Sequence, residues 1–121
     1  MLRAIAQQQR RTLFSSSRVS KQFVVIARDF DDAEALERRL AVREKHLNRI
    51  LPKVDEGRVL LGGGILDSHE SGKMLGSCLI VDAESKEQVQ QLLEEDPYVK
   101  GKVWKDWDIY PFNCAVGKLG K

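Results

Sequence analysis

Two histidines are the only imidazoles in this chain, and one of them sits in a pattern that could move a proton. His46 lies in VREKHLNRIL (42–51), among charges and beside a leucine. On a helical wheel it falls at the border of an apolar stripe made of Leu36, Leu40, Leu47, Ile50 and Leu51, with Arg39, Val42 and Ile50 on its own side. A border residue can reach from the core into a pocket. Arg43 falls inside the stripe, where a guanidinium must snorkel, pair with a carboxylate or face a cavity that takes an anion. A working imidazole also wants a carboxylate on its second nitrogen, to set the tautomer and stabilise the imidazolium. Asp29 and Asp96 are both placed to supply one. Asp96 precedes Pro97, which keeps its backbone out of the helical region and so fixes where its carboxylate points. Tyr98, next in line, either lines the same pocket or packs beneath it.

Other chemistries find little support. Cys78 and Cys114 form no CxxC pair and read as small, at least partly buried thiols. His69 in DSHESGK reads as a loop residue, and the two histidines lack a third ligand at metal spacing, so no metal is expected. Gly62–Gly64 do not form GxGxxG and SGKM is not a phosphate loop, so both read as turns. Trp104, Trp107 and Tyr110 alternate with Asp106 and Asp108, which suits core, interface or pocket wall better than a base-stacking platform.

The elements that would position these groups follow from periodicity. KQFVVIAR (21–28) is a strand. Asp31 or Asp32 then caps a helix that runs to Leu51 and ends at Pro52. GRVLLGGG (57–64) is a strand ending in the glycine run. MLGSCLIVDA (74–83) is apolar on both faces and therefore central. A second helix starts at Ser85 and ends near Glu95, and VWKDWDIYPF (103–112) is the last strand. The order βαββαβ predicts a ferredoxin-like α+β fold with both helices on one face of a four-stranded antiparallel sheet. Tyr, Trp and Leu residues on the strands make the other face too apolar for water. A second copy is expected to cover it, giving a dimeric α+β barrel.

The chain has 121 residues, 42% hydrophobic and 31% charged, which suits one soluble domain, and no apolar run is long enough to span a bilayer. Its net charge of +2 comes from the first twenty residues, which hold four of the twenty basic side chains and none of the eighteen acidic ones. The remainder is net acidic, so nucleic acid is not an expected partner. Residues 1–20, rich in Arg and Ser and amphipathic as a helix, predict a mitochondrial presequence and a matrix location, with the mature start near Lys21. Residues 21–115 then form the domain and 116–121 a tail.

RLAVREKHLNRI, LLGGGILDS, LGSCLIVDA, EEDPYVKGKVW and IYPF, in that order from Lys21 to Phe112, resemble the YCII-related (YciI-like) family. The resemblance implies a dimeric ferredoxin-like fold related to small barrel enzymes such as muconolactone isomerases. It places the family's recurring His and Asp, a proposed catalytic dyad, on His46 and Asp96. It places a helical arginine on Arg43 and a small polar residue of the central strand on Ser77, with Gly63 where many members carry proline. Together these give an expected acid–base enzyme of isomerase or lyase type on a small organic acid or cyclic ketone-like molecule, with no cofactor. The alternative is a non-catalytic dimer that holds a small metabolite in the same cavity. Contact between His46 and Asp96, with the second imidazole nitrogen facing a cavity, would favour the enzyme.

Overall fold

A computed structural model describes residues 21–120, so the expected presequence lies outside the described residues. The elements are β1 (Lys21–Asp29), α1 (Ala35–Asp55), β2 (Val59–Leu66), β3 (Met74–Ala83), α2 (Lys86–Glu94), a short α3 (Pro97–Lys100), β4 (Trp104–Phe112) and a 3₁₀ turn at Lys118–Gly120. The sheet order is β2-β3-β1-β4 with every neighbouring pair antiparallel, the ferredoxin-like arrangement. Val24, Ile26, Cys78 and Ile80 alternate with the inward residues, so each strand divides its side chains between two faces. The inward residues Phe23, Val25, Ala27, Leu79, Val81 and Ile109 form the core with Val89 and Leu93 of α2 and Ile50 of α1.

Four local expectations change. Pro52 does not end α1, which continues to Asp55. In the last turn the ring removes one N–H, and the carbonyl it deprives, at Asn48, belongs to an exposed residue that water can satisfy. Neither Asp31 nor Asp32 caps α1. The helix starts after a turn at Glu34, and Asp32 instead accepts both terminal nitrogens of Arg38, at 2.7 and 2.8 Å. The glycines are not a turn: Gly62, Gly63 and Gly64 lie within β2, paired with Leu79, Cys78 and Ser77. Gly63 is therefore part of an edge strand, not of a loop. Finally, the apolar stripe of α1 does not all reach the core. Leu36, Leu40 and Leu51 are 58%, 62% and 53% exposed, while Arg39 is buried. The helix is turned so that the Arg39–His46–Ile50 side meets the sheet, and a cavity occupies the space beneath the stripe.

Candidate active site

The cavity, of about 270 Å³, opens between α1 and the β2–β3 half of the sheet. Its wall carries Arg39, Arg43 and His46 from α1, Ser77 from β3, Tyr98 from α3 and Trp104 from β4.

Asp96 is the anchor. It is the N-cap of α3, extended at φ −75° and ψ 140°, with Pro97 at the first helical position. Its Oδ1 accepts the Tyr98 backbone N–H at 2.8 Å. The same oxygen meets His46 Nδ1 at 2.8 Å, and Arg49 Nη1 donates to Oδ2 at 3.2 Å. The Asp96 side chain is 2% exposed and that of His46 12%. The amide and the guanidinium can only donate, so both Asp96 oxygens act as acceptors, and the His46 contact is read in the same sense. Nδ1 therefore carries the proton that it shares with Asp96. Nε2, on the far side of the ring, keeps its lone pair and has no partner among the described residues. His46 lines the cavity, with Asp96 behind it.

The ring is also held from its face. His46 stacks on Tyr98 with centroids 3.9 Å apart and planes 8° from parallel, and Trp104 meets both rings edge-on. Arg39 Cζ lies 4.8 Å from the centre of the Tyr98 ring. Burial pushes the Tyr98 phenol above its ordinary pKa, and the charge of Asp96 adds to the shift. The cations Arg39 and Arg43 oppose it, but burial is the largest effect and the net direction is up, so at neutral pH the phenol keeps its proton.

Ser77 is the third fixed group. Its Oγ accepts Arg39 Nη2 and Trp104 Nε1, both at 3.1 Å. With both lone pairs taken, the hydroxyl can only donate, and among the described residues nothing receives its hydrogen. Arg39 in turn is clamped by Asp29 through Nε at 3.0 Å and Nη2 at 3.2 Å, with both side chains nearly buried. Asp29, weighed as a partner for His46, thus belongs to Arg39. Arg43 is exposed at the cavity mouth and has no ion pair among the described residues.

All five residues expected from the sequence, His46, Asp96, Arg43, Ser77 and Tyr98, converge here, with Asp96 behind the wall and the other four lining it. Sequence reasoning missed Arg49, and it set Arg39 on the His46 side of α1 without giving it a role; Trp104, expected as core, interface or pocket wall, stands in the cavity wall. Arg39 is one helical heptad before His46 and so shares its side of α1, a signal present in the spacing. What residue type did not show is how Trp104 reaches the wall. A bulge at Arg28/Asp29 sets Trp104 opposite Asp29, so that Trp104 and Trp107, three residues apart, both turn inward.

A family model for the YCII-related domain matches residues 22–113. Protein YciI of Escherichia coli O6:H1 is 38% identical over 94 residues, covering 74% of this chain and 94% of that protein. An uncharacterised protein of Haemophilus influenzae is 35% identical over 94 residues, with the same coverage of each. Among solved structures, the 5-chloro-2-hydroxyhydroquinone dehydrochlorinase of Burkholderia phenoliruptrix AC1100, in complex with 2,5-dihydroxybenzoquinone, superposes with a TM-score of 0.65. It is 23% identical, and the match covers 76% of this chain and 93% of that one, a likeness of fold. With its ferredoxin-like sheet and these matches, the chain belongs to the YCII-related domain family.

Proposed function

We propose that this protein is a small-molecule acid–base enzyme of isomerase or lyase type, acting on a small organic acid or cyclic ketone-like substrate. The observation that carries the reading is the 2.8 Å contact between His46 Nδ1 and Asp96 Oδ1, which leaves Nε2 without a partner among the described residues on a ring that lines the cavity. Nε2 removes a proton from the carbon beside a carbonyl. The carbonyl oxygen takes the electron pair as an enolate, stabilised by Arg43 and the Ser77 hydroxyl, and the imidazolium is stabilised by Asp96. Return of the proton to a different carbon completes an isomerisation. Collapse of the enolate with loss of a β-leaving group completes an elimination, with the imidazolium proton passing to the leaving group or to water. Neither step calls for a metal or redox cofactor. The dehydrochlorinase of like fold has an elimination in its name, which is consistent with the second route.

The working unit in this reading is a homodimer. The sheet face away from the helices carries Val24, Ile26 and Ile80 with exposed Leu61, Tyr110 and Phe112, an apolar surface that a second copy would cover. The composition of residues 1–20 supports import into the mitochondrial matrix, and a fluorescent protein carrying those residues should enter mitochondria.

Deuterium wash-in tests the chemistry. A panel of small ketones and oxo acids in D₂O, followed by NMR, should include members whose α-proton exchanges in the presence of the protein. His46→Ala and Asp96→Asn should slow that exchange by about 10²–10⁴-fold. Equal exchange rates in wild type and both variants would reject the dyad.

A further inference from the structure

The cavity is graded from one end to the other. Ser77 and Arg39, joined by a 3.1 Å hydrogen bond, mark one end, with Arg43 and His46 beside them. Val54 and Val59, on either side of the short connection between α1 and β2, mark the other. Between them α1 contributes Leu47, Ile50 and Leu51 and β3 contributes Leu79, with no titratable group. Strand pairing fixes the same order on the sheet side: Gly64 lies opposite Ser77, Gly62 opposite Leu79, Val59 opposite Val81. The four residue steps of strand from Ser77 to Val81 span roughly 13 Å. That exceeds what a proton-transfer centre and one anion-binding group need.

We infer that the ligand is amphipathic: an acidic or enolisable oxygen-bearing head at Ser77, His46 and Arg43, and an apolar extension lying over Gly62 toward Val54 and Val59. The inference rests on the acid–base reading for its head group and adds the extension. Gly62 sets the room for it. A Cβ there would come within 2.9 Å of Leu79 Cδ2, so any side chain must push Leu79 aside or itself occupy the apolar half. Gly63 borders the cavity through its backbone alone; a side chain there would point to the opposite face, the one proposed to meet a second copy, and its Cβ would meet nothing of this chain within 4 Å. The two glycines are therefore a matched pair, one that leaves the cavity long and one that does not affect its length. An aqueous ligand with no apolar part would leave Leu47, Leu51 and Val54 facing water, at the cost that buried apolar area normally recovers.

Straight-chain carboxylates from acetate to octanoate, titrated into the full-length protein by calorimetry and by the NMR signals of His46, test this. Affinity should climb with length, by up to about fourfold for each methylene that becomes buried. Gly62→Val should flatten the climb for the longer members while leaving acetate and propionate as in wild type. Gly63→Ala should retain the climb. Carboxylates that bind with no dependence on length would overturn the extension and leave the head-group reading standing. So would identical length profiles for Gly62→Val and Gly63→Ala. Failure of every member to bind near His46 would overturn both.

Discussion

Two buried carboxylates serve the same cavity in different ways. Asp29, at the end of β1, is clamped by two nitrogens of Arg39, a side chain that stays charged at any physiological pH. Asp96, at the start of α3, is shared between Arg49, a backbone amide and the imidazole of His46, whose charge can change. The Asp29 pair is a fixed strut. Through Arg39 it orients the Ser77 hydroxyl and supports the Tyr98 ring. The Asp96 cluster is a strut with one movable proton. Under the proposed acid–base function, what sets Asp96 apart from Asp29 is a partner that can exchange a proton and that lines the cavity; Asp29 is held by a guanidinium alone.

Substitutions should separate the two. The largest effect on turnover is expected at the movable end: His46→Ala, about 10²–10⁴-fold, with a smaller fall in melting temperature from the Tyr98 stack and the Asp96 contact that it gives up. At the fixed end the loss should be stability. Arg39→Met leaves Asp29 buried without its cation and should cost about 3–5 kcal/mol in denaturant unfolding, much of which Asp29→Asn in the same chain restores. If Arg39→Met instead left stability intact and removed turnover alone, the division of roles would be wrong. Arg49→Gln should act more gently. It removes one charge-assisted hydrogen bond from Asp96, about 1.5–3 kcal/mol, while the His46 contact persists. Wild-type-like turnover with a lowered melting temperature is the expected outcome.

The smallest effect belongs to the neighbouring pair on the surface. Arg38 holds the carboxyl of Asp32 well below the usual carboxylate range, at about 2 against an ordinary value of 3.8. A lowered native pKa means that the pair stabilises the fold above the ordinary value, and that the contribution is lost as pH falls through about 2. Acid unfolding of Asp32→Asn should accordingly differ from wild type at neutral pH and converge with it at the acid end. Since Arg38 and Arg39 are consecutive, one on the surface and one buried, this contrast also measures what burial adds to an Arg–Asp pair.

Much of this arrangement was legible in the sequence. Runs of β-branched, aromatic and aliphatic residues marked the strands, and the Asp-Pro step announced a carboxylate with a fixed direction. The border position of His46 pointed to a pocket. What stayed hidden depends on tertiary packing. Helical periodicity placed Leu36 and Leu40 in the core, but periodicity reports one apolar side of a helix, not what that side meets: here Leu36 and Leu40 are exposed, and only the later part of the stripe, Leu47, Ile50 and Leu51, borders the cavity. The glycines of β2 read as a turn because glycine weakens strands in isolation. Gly62 and Gly64 allow the close approach of Leu79 and Met74, which is visible only once β2 and β3 are paired. The bulge that turns Trp104 inward leaves no mark on residue type.

The central claim is that His46 keeps a proton on Nδ1, given to Asp96, and a free lone pair on Nε2. Long-range ¹H–¹⁵N correlation of the imidazole nitrogens, at a pH where the ring is neutral, reads this directly. The prediction is a protonated, pyrrole-like Nδ1 and a pyridine-like Nε2 in the wild type, with Asp96→Asn moving both signals. A proton on Nε2 in the wild type, or signals unmoved by Asp96→Asn, would contradict it.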